Sequence, residues 1–338
     1  MAHLNYHEVA GANPAECGRE LGRLFGSVAK AYIDDERQGK AWHQRRRDAE
    51  VLLSHTARHF PAYVGELQAY ADAAHIALLD LWTMSVEDEL DDEEHEKCTT
   101  IVTNGGRLIA HNEDWDADSA DDICILRREC GGVTTLELYY YGCPLGRTAL
   151  SICSSGYVQA INSLNHADWQ PGVPKIVLAR ALSELKDLDA QLGGLLDIRR
   201  SSGFAHNLVD RSGQLTAVEC TATRQIVQRP QSPFIHTNHI LHPGLAAFDG
   251  DPEGKSTFRR YDAACSLARA SMDETDLMRL AGDETRGKTD SIFNRNTIAR
   301  AIVDLERRVV RFWLKREKQK GWIDYPIDFL FEAPVPSA

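Results

Sequence analysis

Cys98 stands where a cysteine can do chemistry. It follows a dense acidic segment, residues 87–96, and directly precedes an apparent hairpin at 101–110. Cleavage of the Lys97–Cys98 bond would leave Cys98 with both a thiol and an α-amine. Because an α-amine titrates near about 7.7–8, a useful fraction of it can act as base toward the neighbouring thiol at neutral pH. The position therefore predicts a nucleophile that is produced by chain cleavage.

Composition limits the classes of function. The chain has 338 residues and a net charge of −12, and residues 87–97 alone hold eight acids and one lysine. This balance argues against a nucleic-acid partner, because phosphate binding requires basic patches. No apolar run approaches 18 residues and the N-terminus lacks a signal peptide pattern, so we expect a cytoplasmic protein without membrane contact. Eight scattered cysteines fit reduced, mostly buried thiols.

The elements that must position Cys98 fall into two regions. The first, to about residue 86, has a helical pattern. Asn13, Pro14 and Glu16 resemble an N-cap, a first-turn proline and a capping-box acid, and a second helix is predicted from about Arg45 to Ala74.

After Cys98 the pattern becomes strand-rich, with glycine-bounded β-prone runs and helices between two batches of strands. This order predicts an α+β fold in which stacked sheets are covered by helices, an αββα layering. We expect one structural domain, with a helical segment at 1–97 and a core at 98–338. The predicted strands are 134–141, 149–153, 157–161, 203–209, 214–219, 225–228, 297–304 and 309–314. One helix is predicted at 174–185, another at 188–199, and further helices across about 256–282.

Four short stretches carry a resemblance to a known family. Their order and spacing together resemble the acyl-coenzyme A:6-aminopenicillanate acyltransferase family, which includes the insect β-alanyl-dopamine hydrolase. The resemblance runs from about Cys98 to Leu314. It implies an N-terminal nucleophile (Ntn) sandwich made as a precursor that cuts itself before the cysteine. The stretches are Cys98-Thr99-Thr100, His111-Asn112-Glu113-Asp114, Pro171-Gly172-Val173-Pro174 and His236-Thr237-Asn238-His239.

The resemblance also implies residue roles. Cys98 falls on the nucleophile, Asp114 on an aspartate tied to processing and activity, and Asn238 on the asparagine that donates to the oxyanion. Lys97 stands where the best-studied members have glycine. The acyltransferase's C-terminal arginine falls on Asn294, with Arg295 one position on. These two residues are supporting candidates, together with Thr100 and Asn112. Glu113 and Asp116 are weaker candidates that otherwise fit surface acids.

Two alternatives remain open at this stage. His236, His239 and His242 offer three imidazoles close together, which His111, Asp114 and Glu219 could join in a zinc site of a metallohydrolase. Pro243 and Gly244 follow, which favours a loop over a regular ligand helix. The other alternative is a binding protein that kept the fold without activity.

The sequence indicates a class of substrate rather than one compound. The resemblance implies an acyl-cysteine intermediate that joins or splits an amide between a small acyl group and an amine, with no cofactor. We find no extended basic groove for coenzyme A phosphates, so hydrolysis of a small N-acyl amine, such as a β-alanyl amine, is favoured over acyl transfer. The expected partners are this amide and the two cleavage fragments for each other, and a homodimer is left open.

Overall fold

The structure, a computed structural model, describes residues 5–90, 97–250 and 255–332. Part of the acidic run before Cys98, residues 91–96, therefore lies outside the described residues. The helices are α1 (Pro14–Glu36), α2 (Trp42–His59), α3 (Pro61–Ala74), α4 (Leu78–Ser85), α5 (Glu87–Leu90), α6 (Lys175–Ser183), α7 (Leu188–Leu196), α8 (Ser256–Leu267) and α9 (Glu274–Ala281). The strands are β1 (Tyr6–Gly11), β2 (Lys97–Thr103), β3 (Leu108–Asp114), β4 (Ile123–Cys130), β5 (Val133–Tyr140), β6 (Leu150–Cys153), β7 (Tyr157–Ser163), β8 (Phe204–Asp210), β9 (Leu215–Cys220), β10 (Gln225–Gln228), β11 (Phe234–His236), β12 (Thr297–Asp304), β13 (Val309–Leu314) and β14 (Ile323–Pro326).

The first helix begins as its sequence predicts. The Asn13 side chain accepts a hydrogen bond from the Glu16 backbone N–H at 3.0 Å, and the Glu16 carboxylate accepts one from the Ala12 N–H at 2.9 Å. The first of these bonds satisfies a donor that the first helical turn cannot pair within itself. The predicted N-cap and first-turn proline are confirmed, whereas the Glu16 carboxylate reaches the residue before the cap rather than the cap itself.

The single helix predicted from about Arg45 to Ala74 is wrong. The chain forms α2 and α3 instead, with a break at Phe60, whose φ of −132° and ψ of 56° are not helical. Pro61 has no backbone N–H and restricts the residue before it, so it begins a new helix rather than continuing the old one.

Glycines allow α1 to lie directly on α3. A Cβ added at Gly18 would lie 2.1 Å from the Glu66 carbonyl oxygen, and one at Gly22 would lie 2.4 Å from that of Tyr70. No side chain fits at such distances, so glycine at this four-residue spacing sets how closely the two helices pack.

The first strand was missed by the sequence analysis. β1 pairs in parallel with β4 from Tyr6 opposite Ile125 to Gly11 opposite Cys130. Among the described residues before Cys98, the regular elements are thus helices apart from β1, which joins a sheet of the core, and Lys97, which begins β2. Only Val9 of β1 is buried, so the strand shows no alternating apolar pattern from which it could have been predicted.

Two sheets face each other. Sheet I has the order β1-β4-β5-β6-β7-β8-β9-β10, and sheet II has the order β11-β2-β3-β12-β13-β14. Apart from β1–β4, all neighbouring strands are antiparallel. One apolar cluster draws buried side chains from both sheets, including Val102 and Ile109 from sheet II and Ile125 and Leu136 from sheet I. The two sheets therefore share the central core.

Helices cover the outer face of each sheet. α1–α4 and α6 pack on sheet I through a cluster that contains Leu126 and Tyr139, and α8 and α9 pack on sheet II through one that contains Ile101 and Ile302. The predicted αββα layering is confirmed. Among the helices within the described ranges, none combines the length and apolar character needed to span a bilayer. No disulfide joins the eight cysteines, six of which are buried.

A buried set of ion pairs joins the segment before Cys98 to the core, and we call it the joint network. Glu66 of α3 accepts hydrogen bonds from Arg128 of β4 at 2.8 Å and from Arg180 of α6 at 2.7 and 3.0 Å. Arg147 lies 2.8 Å from Glu184 and 3.7 Å from Glu137. The network holds three arginines and three glutamates. Burial alone would raise the pKa of Glu66, but Arg180 and Arg128 outweigh it and hold that pKa below its usual range.

Candidate active site

The β2–β3 hairpin sets which side chains can meet. Its turn, Asn104–Gly106, has positive φ throughout, and a Cβ at Gly106 would lie 1.8 Å from the Gly213 carbonyl oxygen. This turn places Cys98 opposite Glu113, and Thr100 opposite His111. Residues directly opposite in an antiparallel pair point to the same face. Here they point between the two sheets.

The Cys98 thiol contacts a carboxylate. Its Sγ lies 3.3 Å from Glu113 Oε2, and the Tyr140 hydroxyl donates to Glu113 Oε1 at 2.7 Å. Cys98 is 2% exposed and Glu113 is 1% exposed. The expectation that Glu113 fits a surface acid is therefore wrong, whereas Asp116 is exposed as expected. Glu113 is therefore a proton acceptor within hydrogen-bond distance of the thiol.

His111 and Glu113 share a proton. The Thr100 hydroxyl donates its single hydrogen to Asn162 Oδ1 at 2.8 Å, and Asn207 Nδ2 donates to the same oxygen, which fixes that amide. His111 Nδ1, 3.0 Å from Thr100 Oγ1, must therefore be the donor of that contact. The remaining contact, 2.8 Å between His111 Nε2 and Glu113 Oε2, needs one more proton. The pair is an imidazolium with a carboxylate, or an imidazole with a carboxylic acid.

Asn238 reaches the nitrogen of Cys98. β11 pairs with β2 so that His236 lies opposite Thr100, and two residues further on Asn238 comes level with Cys98. Its Oδ1 accepts a hydrogen bond from the Cys98 backbone N–H at 3.0 Å, while its Nδ2 donates to the Ser163 carbonyl at 3.1 Å. A side-chain amide nitrogen carries two hydrogens, so a second donor remains on Nδ2.

Arg260 was not identified from the sequence. It lies on α8, is fully buried, and donates to the Cys98 carbonyl at 2.7 Å, to Thr99 Oγ1 at 2.7 Å and to Asn238 Oδ1 at 2.6 Å. Both groups that face Asn238 Oδ1 are donors, which independently fixes the orientation of that amide. The guanidinium holds the backbone of the nucleophile in place from the outer side of sheet II.

Asp114 lies on the opposite face of the hairpin from the thiol. It is one residue beyond Glu113, and successive side chains in a strand alternate between faces. Its carboxylate accepts from Thr297 Oγ1 at 2.6 Å and from Asn294 Nδ2 at 2.7 Å, and lies 4.0 Å from Arg260. Burial raises the pKa of Asp114, and Arg260 opposes that rise. Asp114 is connected to Cys98 through Arg260 rather than directly.

The other supporting candidates divide. Thr100 and Asn294 lie in the site with the contacts given above. Asn112 faces outward and its Nδ2 donates to the Ala281 and Ile292 carbonyls at 2.8 and 2.9 Å, so it anchors a loop rather than the thiol. Arg295 is exposed, and the structure does not bring it to Cys98.

The three-histidine metal site is not formed. His236 Nε2 lies 3.0 Å from Glu219, and His236 Nδ1 lies 2.7 Å from the Thr237 carbonyl. His239 stacks on Phe258, and His242 Nδ1 caps the Gly244 N–H. The rings are directed to different partners because their loop does not follow a helix. Asp114 and His111 also lie apart from them, in the contacts given above.

One other group has the spacing of metal ligands. Among the described residues, only Cys98, His111 and Glu113 place ligand atoms within 4.8 Å of one another. These are the same three atoms that the proton-sharing contacts above already occupy. They could hold a divalent ion only by giving up those contacts and the thiol proton.

The contact between Glu113 and Cys98 could have been predicted from the sequence. The Asn104-Gly105-Gly106 turn fixes the hairpin register, and that register alone pairs Cys98 with Glu113. No pattern near Cys98 points to Arg260, Tyr140 or Asn162, because tertiary packing brings them from distant parts of the chain.

One family model matches most of the chain. The model described as acyl-coenzyme A:6-aminopenicillanic acid acyl-transferase covers residues 102–319. None of the curated proteins matches the chain.

Solved structures with similar folds have low sequence identity. A mutant (C2A) conjugated bile acid hydrolase from Clostridium perfringens is 11% identical, with 69% of this chain and 92% of that chain covered, at a TM-score of 0.44. Penicillin V acylase from Agrobacterium tumefaciens is 12% identical, with 65% and 83% covered, at a TM-score of 0.43. The family assignment rests on the family model alone.

Proposed function

Since the chain belongs to the acyl-coenzyme A:6-aminopenicillanic acid acyl-transferase family, we propose that this enzyme cuts itself before Cys98 and then hydrolyses a small N-acyl amine. The observation that carries the proposal is the pair of contacts at Cys98. Its thiol is within hydrogen-bond distance of the Glu113 carboxylate, and its backbone nitrogen donates a hydrogen bond to Asn238 Oδ1. A structural cysteine needs neither contact.

Self-cleavage uses the unbroken chain, in which the Cys98 nitrogen is an amide and cannot act as a base. The thiol gives its proton to Glu113, and sulfur attacks the Lys97 carbonyl carbon. A C–S bond forms, the C–N bond breaks, and the nitrogen gains a proton to become an amine. Water then opens the thioester, which leaves a Lys97 carboxylate and a free thiol on Cys98.

Turnover uses the amine that cleavage creates. The α-amine takes the thiol proton, sulfur attacks the carbonyl of the substrate amide, and the proton passes to the departing amine. Water then hydrolyses the acyl-cysteine. The second N–H of Asn238 Nδ2 donates to the oxyanion in both acylation and deacylation, a role in which one donor is typically worth about 10²–10³ in rate.

Acyl transfer is the alternative for the second half of the reaction, with an amine replacing water. Tyr140, whose hydroxyl contacts Glu113, also lines a cavity. Within the described residues the wall of this cavity is apolar, aromatic and acidic and holds no lysine or arginine, which favours hydrolysis over transfer from a polyphosphate-bearing coenzyme. The site residues Cys98, Asp114 and Asn238 keep the roles that the family resemblance implied.

Intact-mass analysis of the purified protein tests self-cleavage. Dividing 37.7 kDa in the proportion 97 to 241 gives associated pieces of roughly 11 and 27 kDa. An unbroken chain with full activity would contradict the proposal, and an unbroken, inactive chain would favour a binding protein.

An amide panel that includes β-alanyl amines then tests turnover. Assays with and without added amine acceptors separate hydrolysis from acyl transfer.

A further inference from the structure

A cavity of about 210 Å³ lies near the candidate site, with Tyr140 in its wall. Tyr140 connects the two, because its ring lines the cavity while its hydroxyl donates at 2.7 Å to Glu113, whose other oxygen lies 3.3 Å from Cys98 Sγ. A small group held against the Tyr140 ring is therefore connected to the thiol through two side chains, Tyr140 and Glu113.

Aromatic rings form much of the wall. Tyr32, Trp115, Tyr140 and Tyr141 all line the cavity, and the Trp115 and Tyr140 rings lie 6.1 Å apart in a tilted arrangement. The faces of such rings carry partial negative charge and attract cations, most strongly where water is excluded.

Carboxylates supply the charge. Glu87, Asp88 and Asp122 line the cavity, and no lysine or arginine among the described residues does. Glu87 is paired with Arg45 at 2.7 Å. Asp88 makes no hydrogen bond or ion pair with any described residue. Asp122 accepts a hydrogen bond from Ser119, and Arg316 attracts it only from a longer distance. Two of the three acids thus lack a close cationic partner.

A buried hydroxyl in the wall also lacks a partner. Thr148 lines the cavity and is 7% exposed, and its Oγ1 has no hydrogen-bond partner among the described residues. An unsatisfied buried hydroxyl costs free energy, and a polar ligand group in the cavity would satisfy it as an acceptor of an N–H bond.

The wall is built from both sides of the predicted cleavage point. Tyr32, Glu87 and Asp88 precede Cys98, whereas Trp115, Tyr140 and Asp122 follow it. The cavity is therefore complete only while the segment before Cys98 remains docked on the core.

We propose that this cavity binds the cationic part of the substrate, a small ammonium group on the acyl or the amine half of the amide. The segment before Cys98 supplies part of that binding site. The inference rests on the proposed amide hydrolysis and deepens it by naming the charge of the substrate.

The test uses matched amides that differ only in charge. In one arm a single amine is acylated with β-alanine, with its uncharged isostere butanoic acid, or with succinic acid. In the other arm N-butanoyl ethylenediamine is compared with N-butanoyl propylamine. We expect kcat/KM for the cation to exceed that for its uncharged isostere by about tenfold in one arm, and the succinyl amide to be the poorest substrate.

Variants locate the preference. Asp88→Asn and Asp122→Asn should each reduce the cation-to-neutral ratio toward one. Asp121→Asn should leave the ratio unchanged, because Asp121 is exposed, pairs with Arg316 and does not line the cavity. Equal or better hydrolysis of the neutral isosteres in both arms would overturn the inference while leaving amide hydrolysis intact.

A binding measurement keeps the inference testable without turnover. Cys98→Ala protein should bind β-alaninamide and ethylenediamine monocation more tightly than butanamide in calorimetry, and the added Asp88→Asn change should remove the difference. Hydrolysis of none of the amides, together with cation binding, would reject the proposed function and retain the site. No preference in binding would reject the site.

Discussion

Two buried charged networks in this molecule differ in how their charges balance. The joint network, between sheet I and its helices, sets three arginines against three glutamates. The network at Cys98 sets two buried carboxylates, Glu113 and Asp114, near the buried guanidinium of Arg260, and the Arg300 guanidinium also acts on Asp114. Glu113 contacts the thiol, His111 and Tyr140 rather than an arginine.

The difference shows what each network can do. Paired charges in a dry environment hold two parts of a chain together, because removing any one leaves its partners uncompensated. A carboxylate that contacts a thiol and a histidine rather than an arginine can instead accept a proton. Charged side chains thus hold two parts of the chain together in one region and allow proton transfer in the other.

The largest expected effect comes from a change that removes the function of the Cys98 network and leaves the joint network intact. Cys98→Ala should abolish both self-cleavage and turnover while the thermal midpoint stays close to that of the native chain, since the joint network is untouched. Alkylation should likewise stop the mature enzyme, and chelators should not. Cys265→Ala is the matched control, because that thiol is exposed and outside the site. Activity that survives alkylation and is lost with chelators would reject the thiol mechanism.

A break in the joint network should have the opposite signature. Glu66→Ala removes the carboxylate that Arg128 and Arg180 share and leaves three buried arginines against two glutamates, so the free energy of unfolding should fall by about 3–5 kcal/mol. Urea titration and native mass spectrometry of the cleaved protein measure the loss and any separation of the fragments. Glu20→Ala, in an exposed pair with Arg23, should cost no more than about 1 kcal/mol.

Acid should also weaken the joint network. Burial would raise the pKa of Glu184, but Arg180 and Arg147 outweigh it and lower that pKa to about 2, and the pKa of Glu66 is lowered as well. A depressed carboxyl pKa contributes stability above its unfolded value of about 4.3, and that contribution is lost as pH falls toward the folded value. Stability should therefore decline between about pH 4 and 2, and the decline should be shallower in Glu66→Gln.

Next in size is the change at Asn238. Asn238→Ala should lower kcat by about 10²–10³ with little loss of stability. Asn238→Asp keeps the oxygen that accepts from the Cys98 nitrogen and removes the Nδ2 donor, so it should be similarly impaired if donation matters. Full activity in the aspartate variant would leave Asn238 only the role of holding that nitrogen. Both variants must be checked for cleavage before their kinetics are compared.

The smallest expected effect is a shift in the pH profile. Activity of the mature enzyme should rise with pH as the Cys98 α-amine loses its proton, through an apparent value at or below about 7.7–8. Arg260 lies on Asn238 Oδ1 beside that nitrogen, and a nearby positive charge favours the neutral amine. Arg260→Gln should move the midpoint upward by up to about one pH unit, and Arg260→Lys should move it less. An unchanged midpoint in both variants would place the base elsewhere.

Local signals in the sequence predicted much of the fold. Short β-prone runs predicted β10, β12 and β13 at the bounds observed, and the Asn13 cap predicted the start of α1. A run of helical residues masked the break at Pro61. β1 was missed because a strand with one buried side chain has no alternating pattern.

The candidate site was predictable only for residues that lie in local motifs or in the β2–β3 hairpin. Cys98, Asp114 and Asn238 came from a family resemblance, and the hairpin register could have added Glu113. Arg260 could not be found, because its contact with Cys98 spans 162 residues and depends on how α8 packs against sheet II. Nothing in a single sequence records that distance.

The pairing of β1 with β4 has a consequence for how this chain can change over generations. The bonds of a strand ladder come from the backbone, and of the six residues in β1 only Val9 is buried. Selection should therefore preserve a proline-free extended stretch of that length with an apolar residue at position 9. The other side chains of β1 should vary freely. Glu66, further along the same segment, has no such freedom. A comparison of descendants should find the two ends of this piece evolving at very different rates.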